Sequence, residues 1–316
     1  MLAINQKKSF LNLLLTLISV LSVYSGNSYA QDNAEERLEG STGYRQELGK
    51  AIVVKEEELP QELDTYARYM GLSGAGNQSG KVGIIDSAVE YSYQIKAFGK
   101  LPIQFGLASR YIRIQNTTQV ELPSHLTSAG FGIETTFPFF NIENTYLSIG
   151  IAPSFFSDNW SFNSSTFSLQ QRYFLIYQPN EKWVLVCGAE YTPGYEDPVS
   201  PILGFIYKPN NRLTFSIIPE TPEIAYLLND KTSVFIQGSA TTNEYRVKKD
   251  GVKNVVLNYD EVHLGAGLRH KWNKYITGSF TVGGMFNRSI RYRQDSLGKV
   301  TIDDGFFTEF RLIIAM

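Results

Sequence analysis

Apolar and polar residues alternate with a period of two over much of the chain beyond residue 81. The pattern is clearest in residues 85–96, 130–137, 261–269, 276–283 and 306–316. Such alternation is typical of a β-strand that has one apolar face and one polar face. After residue 30, no segment of useful length has the 3.6-residue period of an amphipathic helix. The sequence therefore predicts an all-β protein.

Tight turns and longer polar segments alternate between these strands. Asn, Asp and Pro favour turns because they preset φ or hydrogen-bond to their own backbone, and turn sequences occur at residues 141–144, 178–181, 208–211, 229–231 and 271–274. Longer polar segments, which we expect to be loops, occupy residues 115–124, 157–165, 243–254 and 293–304. Bacterial outer-membrane barrels alternate in the same way, with short turns facing the periplasm and longer loops facing outward.

Three features favour a membrane barrel over a soluble sandwich. The polar faces are rich in Gly, Ser, Thr and Ala, whereas a solvated sheet surface carries much Lys and Glu. Aromatic residues concentrate near strand ends, where an interfacial girdle would lie. Strands cross lipid only as a closed barrel, because every backbone polar group there must be paired. At about 20 residues per strand and connection, residues 81–316 predict an antiparallel up-and-down transmembrane β-barrel of about 12 strands, within a range of roughly 10–14.

The last residues of the chain form an alternating apolar stripe. Phe310, Leu312, Ile314 and Met316 share one face of the final predicted strand. A soluble protein rarely ends inside a strand, since termini fray unless they are paired. The stripe resembles the terminal signature by which outer-membrane proteins are recognised for assembly, although Met316 replaces the terminal aromatic residue. It predicts outer-membrane lipid and the barrel assembly machinery as partners.

The first thirty residues have the three parts of a secretory signal peptide. Lys7 and Lys8 precede an apolar run over residues 10–23, and residues 28–30 offer small side chains at the positions that signal peptidase reads. The run is shorter than the roughly 20 residues that span a bilayer. We therefore expect residues 1–30 to be cleaved, and the rest of the chain to be exported to the outer membrane of a Gram-negative cell.

Residues 31–63 differ from the rest of the chain. They contain nine Asp and Glu against four Lys and Arg, with few large apolar side chains. Such a segment buries too little apolar surface to offset its chain entropy. We expect a flexible acidic extension at residues 31–63 and the barrel at residues 64–316.

Composition narrows the functional classes further. The chain has 29 Lys and Arg against 31 Asp and Glu, and this near balance argues against nucleic-acid binding, which needs a basic face. One Cys and three His exclude an internal disulfide framework and disfavour a metal site. Cys187 alternates with apolar neighbours, which predicts an inert thiol. We expect no cofactor and no metal.

Residues 201–231 carry a motif with a known counterpart. The motif has a Gly-x-x-Tyr-x-Pro-Asn hairpin at residues 204–210, a strand interrupted by Pro219, and a Tyr-x-Leu-x-Asp strand end at residues 226–230. It resembles the central motif of an uncharacterised, domain-of-unknown-function family of bacterial outer-membrane β-barrels. The resemblance covers residues 80–316. It implies the fold and the location, and it brings no activity or catalytic residues.

Residues opposite the apolar faces would point into the lumen of such a barrel. The charged residues and the histidine among them are the candidate lumen-lining residues: Asp86, Glu90, Glu134, Arg172, Glu190, Glu261, His263, Arg269, Glu309 and Arg311. Charges of both signs in a confined space should pair. A barrel of about 12 strands lies between side-chain-filled barrels and water-filled porins. A filled interior and a narrow polar channel both stay open.

Three functions follow, in order of preference. The first is a narrow channel for small solutes or a structural protein of the envelope, and the second is an adhesion or binding protein that acts through its outer loops. The third is a lipid-modifying enzyme in which Glu261 and His263 act with Ser279 or Thr281. We expect no enzymatic activity, because such combinations are common by chance. We expect the Gly-rich residues 71–76 to lead flexibly into the first barrel strand.

Overall fold

The computed structural model describes residues 61–316, apart from residues 77, 98–100, 141, 220 and 295–296. The predicted signal peptide and the predicted extension up to residue 60 lie outside the described residues. The described residues form fifteen β-strands: β1 (Gln61–Gly74), β2 (Lys81–Ala97), β3 (Leu101–Asn116), β4 (His125–Pro138), β5 (Thr145–Ser157), β6 (Phe167–Asn180), β7 (Trp183–Tyr191), β8 (Val199–Asn210), β9 (Leu213–Ile217), β10 (Glu223–Asn229), β11 (Thr232–Lys249), β12 (Val252–Lys271), β13 (Ile276–Tyr292), β14 (Lys299–Ile302) and β15 (Gly305–Ala315). Within this part of the chain, no helix has the length and apolar character that crossing a membrane requires.

Fourteen of these described strands close into one antiparallel barrel. From β1 to β13, each strand pairs with the next one along the chain; β13 then pairs with β15, and β15 returns to β1. The short β14 stays outside this ring. It extends the pairing of β13 beyond β15 in an unchanged register. The predicted class, an all-β antiparallel closed barrel, is confirmed.

The ring has more strands than the number of about 12 expected from chain length, and it reaches the upper limit of the predicted range. β9 and β10 are only five and seven residues long. Two-residue turns at residues 211–212 and 230–231 join them to their neighbours. The estimate of about 20 residues per strand and connection was therefore too long for this region. It was also applied only from residue 81 onward, so it did not count β1.

β1 begins at Gln61, inside the segment that the sequence assigned to the extension. Its inward face is polar, with Asp64 and Arg68 buried, so the strand resembles the acidic residues before it. The Gly-rich residues 71–76 were expected to lead into the first strand; instead they end β1 and turn towards β2. The expectation failed because the apolar face of β1 is too weak to mark a strand in the sequence.

The two ends of the barrel differ in their connections. Gln61 and Met316 lie at one end, which we term the terminal end, and their backbones exchange hydrogen bonds of 3.2 and 2.8 Å. The two-residue turns after β6, β8 and β10 lie at this end. The opposite end, termed the loop end, carries the connections at residues 75–80, 117–124, 158–166, 192–198, 218–222 and 293–298.

The outer face of the wall is apolar. Phe280, Val282 and Phe310 are about half exposed there, and Phe306 is 86% exposed. The apolar stripe of the last strand, including Met316, lies on this outer face, while Phe307, Glu309 and Arg311 of the same strand point inward and are buried. The two-residue rhythm therefore separates an apolar exterior from the interior of the barrel.

Exposed aromatic residues nearer the strand ends form two belts on the outer face, while others, such as Tyr173, Phe280 and Phe310, are exposed between the belts. Members of the belt at the terminal end are Tyr93, Tyr177, Tyr226, Trp272 and Tyr275, and members of the belt at the loop end are Tyr69, Tyr111, Phe167, Tyr191 and Phe286. On β6, Phe167 and Tyr177 are ten residues apart. That spacing is about 33 Å along the strand, or about 25 Å along the axis of a barrel with strands tilted by about 40°. It matches the apolar band of outer-membrane barrels, which is about 25 Å tall.

Residues 243–254 form a hairpin and not the expected loop. β11 continues to Lys249, β12 begins at Val252, and only Asp250 and Gly251 lie between them. Both turn residues have positive φ, 50° and 80°, as a two-residue type I′ turn requires. An Asp-Gly pair is a strong hairpin signal, and the charged residues around it concealed the alternation of Tyr245 with Val247.

The end of this hairpin crosses the loop end of the barrel. We term residues 243–258 the closing hairpin. Arg246 forms a backbone bridge with Ser157 of β5, although β5 and β11 lie on different sides of the ring. Beneath it, inward-facing apolar residues of β1–β4 and β11–β15 pack into one core. Part of the interior is therefore dry, which the alternating pattern alone did not predict.

Candidate functional site

Five charged side chains meet in the middle of the lumen. Arg68 donates from Nε to Glu309 Oε2 (2.8 Å) and from Nη1 to Glu261 Oε1 (3.3 Å). Arg110 donates two hydrogen bonds of 2.8 Å to the carboxylate of Asp86, and Arg68 Nη1 lies 3.7 Å from Asp86 Oδ2. We term these five residues the central network.

The central network joins strands that are distant in sequence. Arg68 belongs to β1, Asp86 to β2 and Arg110 to β3, whereas Glu261 and Glu309 come from β12 and β15. All but Arg110 are nearly or fully buried. Removing one partner from a buried ion pair costs about 3–5 kcal/mol, because the other charge is left uncompensated. The network therefore ties the two edges of the ring together.

Further ion pairs continue from this network towards the terminal end. Arg311 Nε donates to Asp64 Oδ1 over 2.9 Å, joining β15 to β1. Arg269 donates from both terminal nitrogens to Glu223, with distances of 3.2 and 2.7 Å, joining β12 to β10. Each predicted arginine thus has a carboxylate partner on another strand.

Of the remaining predicted acids, Glu134 and Glu190 lie farther round the ring, on β4 and β7, whereas Glu90 lies on β2 with Asp86. Glu134 Oε1 accepts a 2.7 Å hydrogen bond from Ser148 Oγ, and Glu190 Oε2 lies 3.3 Å from Arg172 Nε. Glu90 lines the lumen cavity described below. The structure thus places all ten predicted lumen-lining residues on the inward face, and most are in pairs.

Sequence reasoning missed Asp64, Arg68, Arg110 and Glu223. Asp64 and Arg68 were missed because β1 was not recognised as a strand. Arg110 could have been found, since residues 105–111 alternate large apolar with small or charged side chains. Its partner Asp86 lies on the adjacent strand β2. The contact of Arg68 with Glu261 could not be read from the sequence, because pairing across the lumen depends on the curvature of the ring.

A cavity of about 180 Å³ lies beside the central network. One wall is built from small residues of β2–β5, among them Ala88, Ala108, Gly130 and Ala152. The facing wall presents hydroxyl and amide groups of β11, namely Ser239, Thr241 and Asn243. Phe156 and Tyr245 flank the cavity towards the closing hairpin, with ring centroids 5.7 Å apart.

His263 also lines this cavity. Its side chain is buried, with 3% of its surface exposed, and its ring packs edge-on against Phe307 at 5.2 Å. Nδ1 has no hydrogen-bond partner among the described residues. A buried polar atom without a partner is rare in folded proteins and calls for an explanation.

The combination of Glu261, His263 and Ser279 does not form a catalytic arrangement. Ser279 is paired with Arg269, six residues along β12 from His263, which corresponds to about 20 Å of strand. Thr281 pairs with Gly267 and is also too distant. Glu261 instead accepts hydrogen bonds from Tyr259 and Arg68. The geometry therefore separates the residues that the enzyme hypothesis needs.

Polar contacts hold the closing hairpin against the loop end. Lys248 N donates to Asp158 Oδ2 (2.8 Å) and Lys249 Nζ to Glu121 Oε2 (3.2 Å). Glu244 pairs with Arg293. We term this set of contacts, together with the Arg291–Glu196 pair (2.6 Å) beside it, the latch. The hydrogen bond from Arg291 lowers the pKa of Glu196 below its usual value, against a smaller opposing effect of burial.

Metal and thiol chemistry have little basis in the described residues. In residues 61–316, as far as the structure describes them, no group of three His, Cys, Asp or Glu side chains is placed to hold a metal ion. Cys187 is exposed on the outer face and forms no disulfide.

Comparison with protein families gives a match over most of the chain. A family model described as a domain of unknown function (DUF6268) matches residues 88–305, a range that contains the motif at residues 201–231, and the expected family resemblance is confirmed. No curated protein sequence matches the chain.

Among solved structures, the COG4313 outer membrane channel from Pseudomonas putida F1 is 10% identical, with a TM-score of 0.47 over 83% of this chain and 97% of that one. A FadL homologue from Pseudomonas aeruginosa is 10% identical, with a TM-score of 0.42 over 84% and 91%. Outer membrane phospholipase A from Escherichia coli is also 10% identical, with a TM-score of 0.37 over 84% and 96%. Likeness at this level transfers no activity.

Proposed function

The chain belongs to the DUF6268 family of domains of unknown function, and from the geometry of its interior we propose that it is a narrow outer-membrane channel for small polar solutes, shut at rest by the closing hairpin. The apolar outer face and the two aromatic belts support a position in a membrane. The tight turns at the terminal end and the longer connections at the loop end support an orientation with the terminal end in the periplasm.

The cavity in the lumen carries this proposal. It is lined by small, hydroxyl-bearing and charged side chains, whereas a purely structural barrel of this size would fill the same space with larger side chains. The closing hairpin lies across the loop end beside it, so a polar path through this space would stop at the hairpin.

Apolar packing, more than the latch, keeps the hairpin in place. Tyr245, Val247, Val255 and Leu257 of the hairpin are nearly fully buried in the core beneath it. At about 1.5–3 kcal/mol each, these four side chains contribute about 6–12 kcal/mol, whereas exposed ion pairs contribute about 0–1 kcal/mol each. Spontaneous opening is therefore rare, and the open state needs a stimulus from outside the barrel.

Planar bilayer recordings of a shortened hairpin test the proposal. Tyr245 and Leu257 are register partners, so deleting residues 246–249 and 252–256 leaves them joined by Asp250 and Gly251, the turn that the native hairpin already uses. We expect the wild type to open rarely and the shortened protein to have at least a tenfold greater open fraction. Glu244→Gln, which weakens only the latch, is the control and should remain close to wild type.

Folding of each variant is checked by its altered gel mobility without heating. A folded shortened protein that stays silent in the bilayer would refute the channel. In that case a structural role in the envelope, which the dry core beneath the hairpin favours, becomes the better explanation.

The other two functions have weaker support. The adhesion hypothesis relied on the long outer loops, and one of them, residues 243–254, is a hairpin packed on the barrel. We propose no catalytic activity, since Glu261, His263 and Ser279 are held apart.

A further inference from the structure

We infer that the lumen cavity binds an uncharged, hydroxyl-rich solute of about the size of a monosaccharide, and that His263 anchors it. The inference rests on the proposed channel function and names the class of solute that the channel would carry. It follows from the size of the cavity, the charge around it, the unpartnered nitrogen of His263 and the nature of its two walls.

The size of the cavity sets the first limit. Its volume of about 180 Å³ is several times the share of one water molecule in liquid water, about 30 Å³. Small residues on one wall, such as Ala108 and Ala152, leave this space open. It accommodates a six-membered ring with its substituents and is too small for most drug-sized ligands, whose pockets measure about 300–1,000 Å³.

The charges around the cavity exclude an ionic solute. Three arginines line the cavity. Arg68 and Arg110 are engaged with Asp86, Glu261 and Glu309, and Arg172 lies 3.3 Å from Glu190, so each of these cations already has a carboxylate beside it. An anion would also face Glu90, while a cation would face the guanidinium groups of the lining. Either ion could bind only by breaking a buried pair. An uncharged solute avoids this cost.

The unpartnered nitrogen of His263 is an independent observation that points to a ligand. His263 lines the cavity, and its buried Nδ1 has no partner in the described part of the chain. A hydroxyl group can donate or accept, so it satisfies this nitrogen in either tautomer of the ring. Arg110, the most exposed member of the central network at 18%, offers its charged edge to the same space.

The polar wall of the cavity and its aromatic flank suit a sugar-like ring. Ser239, Thr241 and Asn243 present groups that both donate and accept hydrogen bonds. Phe156 and Tyr245 offer aromatic surface at the side of the closing hairpin. An apolar flank with several convergent polar groups is the usual composition of a small-molecule site.

Saturation-transfer NMR on the detergent-solubilised full chain tests the inference. The probe is myo-inositol, with glucuronate and glucosamine at the same concentration as charged comparators. We expect a transfer signal for myo-inositol and at least tenfold less for either charged compound. His263→Phe keeps the ring packed on Phe307 but removes both nitrogens, and it should reduce the myo-inositol signal at least tenfold.

Two further variants separate binding from folding. His270→Phe, at a histidine that contacts Thr232 near the terminal end, should bind like wild type. Thr241→Val removes one hydroxyl from the cavity at nearly constant volume and should weaken binding at least threefold, even if His263→Phe does not fold.

Several results would overturn the inference. They are no transfer signal for myo-inositol with the folded wild type, a stronger signal for a charged comparator, or equal binding by the folded wild type, His263→Phe and Thr241→Val. Because binding is measured without a membrane, a silent bilayer recording with positive NMR would refute the channel alone. Discrete conductance with negative NMR would refute the solute class alone.

Discussion

The central network and the latch use the same chemistry in different surroundings. Arg68 and Glu309 of the network expose 6% and 3% of their side chains, whereas Arg291 and Glu196 of the latch expose 29% and 48%. A buried ion pair that loses one partner leaves a costly charge behind, while an exposed pair is replaced by water at little cost. The central network therefore fixes the ring, whereas the latch only orients the closing hairpin at the loop end.

Removing a cation from each set should give the largest contrast. Arg68→Met leaves three buried carboxylates with one guanidinium, and we expect it to destabilise the barrel by about 3–5 kcal/mol. Arg291→Met should cost less than about 1 kcal/mol. Thermal unfolding in detergent, followed by loss of the fast-migrating folded band, compares the two. Equal losses would show that burial does not distinguish the two sets.

Truncating a buried side chain beneath the closing hairpin should have the second-largest effect. Leu257 is fully buried in the apolar core, and Leu257→Ala should cost about 2–5 kcal/mol. If apolar packing holds the hairpin, the open fraction in planar bilayers should rise more in Leu257→Ala than in Glu244→Gln. The reverse order would mean that the latch, and not the core, keeps the channel shut.

A substitution in the turn should have a smaller effect. Gly251 has a φ of 80°, a conformation that costs a β-branched residue about 1–2 kcal/mol. Gly251→Val should therefore loosen the tip of the hairpin without disturbing the wall. We expect faster proteolytic cleavage near residue 251 and an unchanged unfolding temperature of the barrel. Cleavage at the wild-type rate would contradict the strained-turn argument.

Acidification should produce the smallest effect. Because the pKa of Glu196 lies below its ordinary value of 4.5 in the folded protein, its ion pair stabilises the fold above about pH 4.5 and is lost as the pH falls through the folded value. Glu196 is about half exposed, so solvent screening keeps the contribution small. The difference in unfolding temperature between wild type and Glu196→Gln should be constant from pH 7 to 5 and should shrink as the pH falls below about 4.5 through the folded pKa. A difference that persists at low pH would assign it to packing.

The sequence predicts the wall of this barrel well, because its signal is local. Leu264, Phe280 and Phe310 face outward and Glu261, His263 and Glu309 face inward, as a period of two requires. The interior is harder to predict. The contact between Arg68 and Glu261 joins β1 to β12, which are separated in the ring by β15 and β13. No local pattern encodes such a contact, since it depends on how far side chains reach across the lumen.

The closing hairpin was missed for a different reason. Its sequence alternates between apolar and charged residues, as in Tyr245, Arg246 and Val247, which resembles a membrane strand and a solvated loop equally well. Only the core beneath it decides between them, and that core gathers residues from nine strands. The cavity of the proposed site is likewise built from strands that are distant in sequence. Some of its lining residues were therefore predicted, but its shape was not.

The seam between β1 and β15 also constrains how the chain reaches its final form. Every other pair in the ring joins strands that follow one another closely, but Glu62 pairs with Ala315 and Met70 with Phe307. Until the last strand has been supplied, two long edges with unsatisfied amides stay open, and such edges attract other chains. The interval before the last strand pairs with the first, rather than the strength of any one hairpin, is therefore the stage of folding most exposed to aggregation.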